Sequence, residues 1–225
     1  MSHNAPRPPA RPAFPPVRLP DHDPNLAALP PLANLVFMGM GEPADNARAV
    51  RRATSALVDA RRFGFGARSV LVSTVAPDPG AFARLLLDAD DDADDDADDA
   101  SSPPAIAWSL HAADPAVRRA LVPTARHAPE ALRDGLVAAL LSLPPRRRRA
   151  VCEVVLIAGV NDRDVDADSI AALLRPLEAV CTASSARRTG VLVNLIPYND
   201  IGGGDARSAA VAASAAGVPL RRPSR

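Results

Sequence analysis

The stretch from residue 34 to residue 43, N-L-V-F-M-G-M-G-E-P, decides how this chain is interpreted. Its four apolar residues, 35–38, form a short run typical of a strand that is buried on both faces. Gly39, Gly41 and Glu42 follow directly, and active sites of parallel α/β barrels lie at this carboxyl end of the strands. The segment therefore predicts either a core strand that delivers Glu42 to a ligand's ammonium group or a tight strand-to-helix turn with a solvated glutamate.

The length and composition indicate a single globular α/β domain with a substantial core. The chain has 225 residues, of which 48% are hydrophobic and only 3% aromatic, so Val, Leu and Ala must fill the interior. No apolar run approaches the roughly 18 residues that a membrane helix needs. We therefore expect a soluble monomer with no membrane partner.

The zero net charge conceals a strong local asymmetry. Nine aspartates lie between Asp88 and Asp99, and without them 17 acidic residues face 26 basic ones. Such an excess suits an RNA partner. All 26 basic residues are arginines, however, and the absence of lysine is also typical of a coding bias. Both interpretations stay open.

The two cysteines, Cys152 and Cys181, form neither a Cys-x-x-Cys motif nor any metal-ligand spacing. Their low number favours an intracellular, reducing location, with the cytoplasm as the default and a plastid or mitochondrion as the alternative. Cys152 lies within an apolar run and is predicted to be an inert core residue.

Two segments are predicted to lie outside the folded core. Residues 1–33 contain ten prolines and no periodicity, so they are expected to be disordered or extended. Residues 88–104 form a self-repelling acidic insertion on the surface. Calcium binding by the aspartates would need turn glycines as in an EF-hand, and none are present there. The domain prediction is thus a proline-rich segment 1–33 followed by a core domain 34–225.

Apolar runs alternate with helical patterns five times, which predicts a parallel α/β sheet. The pattern suits a partial barrel as well as a flat, doubly wound sheet. The predicted strands are 35–38, 69–72, 105–108, 150–157 and 191–196, and the predicted helices are 45–62, 79–87, 115–121, 130–143, 167–177 and 205–216. For the first helix, a buried face of Ala49, Ala53, Ala56, Leu57 and Ala60 is expected.

Four of the five strands end in small polar residues. These are Gly41 with Glu42, then Ser73, then Ser109 with His111, and finally Asn199. The carboxyl ends of parallel strands share one edge, so these groups are expected to converge. They suit an amino-acid head group, a ribose and an adenine edge. G-M-G-E-P is neither a G-x-G-x-x-G motif nor a P-loop, which disfavours a nucleotide held through its phosphates.

Five motifs in this order resemble a known family, the radical S-adenosylmethionine methyltransferases that methylate carbon 2 of an adenine in large-subunit ribosomal RNA and in some transfer RNAs. The motifs are M-G-M-G-E-P, V-S-T-V, W-S-L-H-A, V-L-I-A-G-V-N-D and V-N-L-I-P-Y-N. The resemblance covers residues 34–222 apart from the acidic insertion. It implies a partial (β/α) barrel with about five of its parallel strands present.

The resemblance also implies which residues bind S-adenosylmethionine. Gly41 and Glu42 would hold the methionine amino group. Ser73, the segment Ser109, Leu110 and His111, and Asn199 would contact the rest of the cofactor. A histidine at a strand end is more often a structural residue, and only its place beside Ser109 in the matching motif favours a ligand contact for His111.

The chain departs from the family pattern in its cysteines. The family holds a 4Fe-4S cluster with a Cys-x-x-x-Cys-x-x-Cys loop and relays the methyl group through a reactive cysteine, and Cys152 and Cys181 match neither feature. The chain as it stands is therefore expected to lack methyl transfer. It is interpreted either as a fragment of an RNA methyltransferase, truncated at both ends, or as a non-catalytic module that binds S-adenosylmethionine or RNA.

Overall fold

The computed structural model describes residues 32–87, 103–183 and 190–199. Contacts divide the chain into residues 1–32 and residues 33–225, and every described helix and strand belongs to the second unit. Three sequence predictions lie outside the described residues. These are the disordered segment except for its last two residues, nearly all of the acidic insertion, and the helix at 205–216.

The described chain contains five strands and five α-helices, and one or two helices separate each strand from the next. The strands are β1 (Leu35–Phe37), β2 (Val70–Thr74), β3 (Ala105–Ser109), β4 (Ala150–Leu156) and β5 (Leu192–Pro197). The helices are α1 (Ala47–Val58), α2 (Ala81–Leu86), α3 (Pro115–Leu121), α4 (Pro129–Leu141) and α5 (Asp164–Thr182). Short 3₁₀ turns cover Pro43–Asn46, Ala67–Ser69 and Pro145–Arg147. None of the described helices is long and apolar enough to cross a membrane.

The strands form one parallel sheet in the order β1-β2-β3-β4-β5. Each crossover adds the next strand on the same side, whereas a doubly wound sheet reverses its strand order at a switch point. The predicted parallel α/β fold is thus confirmed, and of the two predicted architectures the strand order matches the partial barrel.

The two faces of the sheet differ in character. One face carries side chains without solvent exposure, which pack with the helices into the larger of two hydrophobic clusters. These are Val72, Ile106, Trp108, Cys152 and Val154. The Phe82 and Trp108 rings pack in a T-shaped arrangement with 6.0 Å between ring centres. The opposite face carries polar residues near the carboxyl ends of the strands, and this face positions the site described below.

Strand β1 corrects the prediction of burial on both faces. Val36 is 50% exposed and Met38 48% exposed. The physical reason is that Val36 pairs with Leu71 and points to the face opposite the core, whereas Phe37 points to the core face and is partly buried. The position of β1 at the edge of the described sheet adds to its exposure. Apolar composition alone does not distinguish a central strand from an edge strand.

Helix α1 differs from its prediction in both length and orientation. It ends at Val58 instead of continuing to Arg62, and its buried residues are Ala47 and Thr54. The predicted buried face was wrong, since Ala49, Ala53 and Ala60 are exposed. Alanine side chains carry little apolar area, so their spacing determines the orientation of a helix only weakly.

Helix α5 extends beyond the predicted range 167–177 at both ends, since it covers Asp164–Thr182, and Pro176 lies inside it. The proline removes one main-chain hydrogen bond. The apolar face of the helix, formed by Ile170, Leu173, Leu174, Leu177 and Cys181, is nevertheless continuous and buried.

Candidate functional site

The strand register brings polar side chains from neighbouring strands into one row. Ser109 lies opposite Glu153 in the β3–β4 pairing, and Glu153 lies opposite Asn194 in the β4–β5 pairing. Ser73 of β2 joins the row through its hydroxyl, which is 3.2 Å from the Ser109 hydroxyl. Residues aligned in this way share one face of a sheet. We call this set, Ser73, Ser109, Glu153 and Asn194, the polar row.

Glu42 lies beside the polar row and is fixed by its own chain. Its Oε1 accepts hydrogen bonds from the Ala44 N–H at 2.8 Å and the Thr74 hydroxyl at 2.5 Å. Its Oε2 accepts one from the Val75 N–H at 2.9 Å. A carboxylate offers about four acceptor positions, so one on Oε2 remains for a ligand. Glu42 is therefore a tether between β1 and β2 as well as a candidate ligand contact.

His111 adopts a left-handed backbone conformation with φ of +61°. Its Nδ1 accepts a hydrogen bond from the Val155 N–H at 3.2 Å, and its carbonyl oxygen accepts one from the Asn161 side chain at 2.7 Å. An accepting Nδ1 places the ring proton on Nε2. Burial, with a smaller contribution from nearby Arg118, lowers the pKa of His111 to about 4. The ring is thus neutral at physiological pH and offers one N–H donor.

The loop after β3 rests on Arg118, a residue that the sequence analysis did not single out. The Arg118 side chain is 1% exposed. It donates hydrogen bonds to the carbonyl oxygens of Ser109 at 2.7 Å, Val75 at 2.6 Å and Leu110. Its guanidinium carbon also lies 5.7 Å from the centre of the Trp108 ring. Arg118 therefore joins the carboxyl ends of β2 and β3 below the site.

Three further predicted site residues lie at the same edge of the sheet. Gly41 is exposed, with φ of +76° and open space where a Cβ would stand. Asn199 follows β5 and is exposed. Leu110 has no solvent exposure, and its N–H donates to the Glu153 carbonyl at 3.0 Å. Because the Arg118 guanidinium donates a hydrogen bond to the Leu110 carbonyl oxygen, Leu110 supports the site from within the core.

Glu153 and Asn194 were missed by the sequence analysis. Glu153 is 4% exposed, and its Oε2 accepts a hydrogen bond from the Asn194 side chain at 3.1 Å. A signal for Glu153 was present, because a glutamate inside the run V-C-E-V-V-L is an unusual charge in a core strand. Asn194 gave a weaker signal, since it lies inside the run V-L-V-N-L-I but carries no charge.

A cavity of about 510 Å³ lies at the opposite end of the strands. Residues at the amino ends of the strands line it, including Arg68, Ala105 and Arg149. None of the predicted site residues contributes to its lining. The cavity and the polar row are therefore separate features of the sheet.

Both thiols of the chain lie in the core. Cys152 and Cys181 are 0% and 1% exposed, which confirms the core position predicted for Cys152. Burial raises the pKa of Cys152 to about 12 and that of Cys181 to about 11. Within the described ranges, no group of three or more His, Cys, Asp or Glu residues could hold a metal ion. The residues present do not fit a 4Fe-4S cluster, which needs thiolate ligands.

Known proteins similar to this chain share its fold. A radical SAM methyltransferase from Sphaerobacter thermophilus has a crystal structure that superposes with a TM-score of 0.57 and 30% sequence identity. The superposition covers 83% of this chain and 49% of that protein. The fold and this likeness define the class, an α/β core of the radical S-adenosylmethionine methyltransferase type.

The curated relatives give the family. A dual-specificity RNA methyltransferase RlmN from Sorangium cellulosum is 39% identical over 171 residues, which cover 76% of this chain and 37% of that protein. A probable RlmN from Roseiflexus sp. is 41% identical over 177 residues, with 76% and 39% covered. No protein-family profile matches the chain. The chain belongs to the RlmN family and spans about two fifths of the length of these relatives.

Proposed function

We propose that this chain is the S-adenosylmethionine-binding core of an RNA methyltransferase that acts on carbon 2 of adenine. The observation that carries the proposal is the convergence of Glu42, the Ser73–Ser109 hydroxyl pair and His111 at one edge of the sheet. Donors and acceptors of this kind suit a ligand that combines an amino acid with a nucleoside. Membership in the RlmN family supports the same ligand class.

Each polar group has a distinct task in this proposal. Glu42 presents its remaining acceptor position to the methionine ammonium, next to the open backbone at Gly41. The Ser73 and Ser109 hydroxyls and Asn199 supply neutral hydrogen bonds, and His111 offers its Nε2–H to an acceptor on the ligand. S-adenosylmethionine, when bound, supplies the methyl group.

The proposed macromolecular substrate is RNA. The relatives are named as dual-specificity RNA methyltransferases, and the proposal extends this to ribosomal RNA and transfer RNA for the whole protein of which this fold is the core. The arginine excess outside the acidic run is compatible with a polyanionic partner.

The first test is the replacement of Glu42 by glutamine. Glu42→Gln keeps the shape of the side chain but removes its charge, and a charge-assisted hydrogen bond is worth roughly 1.5–3 kcal/mol. We expect the affinity of the 225-residue chain for S-adenosylmethionine to fall about tenfold to a hundredfold in calorimetric titration. Ser73→Ala and Asn199→Ala remove neutral partners and should each lower affinity by roughly fivefold.

Two controls separate ligand binding from local structure. Asp45→Asn removes an exposed carboxylate three residues away and should leave affinity unchanged. Thr74→Val removes the hydrogen bond to Glu42 and the acceptor of the Ala76 N–H, but it leaves the proposed ligand contact of Glu42 in place. Because Thr74→Val leaves the charge of Glu42 in place, it should weaken binding less than Glu42→Gln, and an equal loss would contradict a direct contact between the carboxylate and the ligand.

A second candidate function is a binding module without redox chemistry. The burial and raised pKa of both thiols favour it, because neither cysteine is available as a ligand or a nucleophile. Anaerobic reconstitution of the chain with iron and sulfide is therefore expected to give no stoichiometric 4Fe-4S absorption. A stable cluster with about four irons per chain would exclude this second candidate.

A further inference from the structure

We propose that Glu153 is a ligand-binding residue, which Asn194 orients and which accepts hydrogen bonds from the ribose hydroxyls of the bound nucleoside. The inference deepens the proposed function and rests on it. It assigns a recognition role to a residue pair that the family motifs quoted above leave without one.

The first support is the incomplete pairing of a buried charge. Glu153 is 4% exposed, and among the described residues its carboxylate accepts one hydrogen bond, from the Asn194 side chain at 3.1 Å. A carboxylate can accept about four. A buried charge with so few partners is unfavourable for folding. A ligand would remove this cost if its hydroxyl groups donated hydrogen bonds to the free acceptor positions of the Glu153 carboxylate.

The second support is the position of Glu153 within the candidate site. Its backbone carbonyl accepts hydrogen bonds from the N–H groups of Leu110 at 3.0 Å and His111 at 3.2 Å. The segment 109–111, which the resemblance implies to bind the cofactor, is thus hydrogen-bonded directly to the backbone of Glu153. Its side chain shares a face of the sheet with the Ser109 hydroxyl, because the two residues are register partners. Glu153 is therefore part of the site's own framework.

The third support is the chemistry of the two side chains. A carboxylate only accepts hydrogen bonds, so it matches two neighbouring donors such as a vicinal diol, and acidic residues bind ribose hydroxyls in dinucleotide-binding folds. The edge of adenine presents a donor beside an acceptor, which an amide matches better. The ammonium group is assigned to Glu42, whose carboxylate is held at the end of β2, two strand spacings or about 10 Å from β4. The diol is the donor pair that remains for Glu153.

The test compares nucleosides with and without the hydroxyls on the full chain. Wild type, Glu153→Gln and Asn194→Ala are titrated with S-adenosylhomocysteine, adenosine and 2′,3′-dideoxyadenosine. Glu178→Gln is the matched control, because Glu178 is an exposed glutamate on α5. Thermal unfolding of every variant is measured in parallel, since loss of fold would lower all affinities together.

We expect Glu153→Gln to bind S-adenosylhomocysteine about tenfold more weakly than wild type, with Asn194→Ala showing a smaller, several-fold loss. Wild type should prefer adenosine over the dideoxynucleoside by about tenfold, and Glu153→Gln should lose most of this preference. Its unfolding temperature should not fall, because a buried charge is removed. Glu178→Gln should behave as wild type.

Three outcomes would overturn the inference in different ways. If wild type binds S-adenosylhomocysteine and Glu153→Gln keeps the preference for adenosine, Glu153 does not contact the ribose, and the proposed function still stands. A lower unfolding temperature with unchanged affinity would likewise show a structural role only. If wild type binds none of the three compounds, both the inference and the proposed function fail.

Discussion

Replacing Arg118 by alanine is expected to lower the free energy of unfolding by about 3–5 kcal/mol. The side chain is almost fully buried and donates to three carbonyl oxygens at the ends of β2 and β3. Its removal leaves those carbonyls without their partner and opens a cavity against Trp108. Each buried polar group left unpaired costs about 1–3 kcal/mol, which water entering the cavity would partly offset. Urea denaturation followed by circular dichroism measures the loss.

The neighbouring residue provides a matched control for this experiment. Arg119 lies on the same helix and is exposed, so Arg119→Ala should change stability by no more than about 0.5 kcal/mol. Arg118→Met keeps much of the side-chain volume and isolates the hydrogen bonds, with an intermediate loss of about 2–3 kcal/mol. Equal stability of Arg118→Ala and Arg119→Ala would contradict the role of Arg118 as the support of the site.

The stability of the fold should fall by about 3 kcal/mol, through His111 alone, as the pH drops from 7 to 4. The pKa of His111 is about 4 in the folded chain and about 6.5 when it unfolds. Between these values the unfolded state binds more protons, so stability decreases as the pH decreases. At pH 7 both states are neutral at this residue, and the effect disappears. Equilibrium unfolding at several pH values measures the slope.

His111→Asn separates this effect from the titration of carboxylates. Asparagine tolerates the left-handed backbone at this position better than most residues and does not titrate. The variant should be less stable than wild type at pH 7, since the ring is lost, yet its stability should depend less on pH by about 3 kcal/mol. Parallel pH profiles for the two proteins would show that His111 does not remain neutral in the fold.

The fold and part of the site follow directly from sequence patterns. Alternation of apolar runs with helical segments determines a parallel sheet, and a parallel sheet places all carboxyl strand ends at one edge. The contact between the Ser73 and Ser109 hydroxyls is a consequence of that rule. The order of the strands in the sheet could not be predicted from these patterns, because local periodicity carries no information on which strands are neighbours.

Other parts of the site depend on contacts between residues far apart in the chain. Arg118 lies in the ordinary helical sequence P-A-V-R-R-A-L, and nothing there distinguishes it from the exposed Arg119. Its role arises only when the fold brings the Arg118 side chain to the carboxyl ends of β2 and β3. The tether from Thr74 to Glu42 spans 32 positions and likewise needs the finished sheet. Glu153 could have been identified from the sequence as a lone charge in an apolar strand, but its pairing with Asn194 on β5 could not.

The hydrogen bonds that fix Glu42 reduce the entropy cost of ligand binding. A free glutamate loses up to about 1.5–2 kcal/mol of rotamer freedom when it becomes ordered. In this fold the Ala44 and Val75 N–H groups and the Thr74 hydroxyl order the side chain before any ligand arrives. Folding has thus already met that cost, and an incoming ammonium encounters a carboxylate in its binding geometry. Glu42 should therefore act as a preorganised acceptor, and binding at its end of the site should require no rearrangement of the protein.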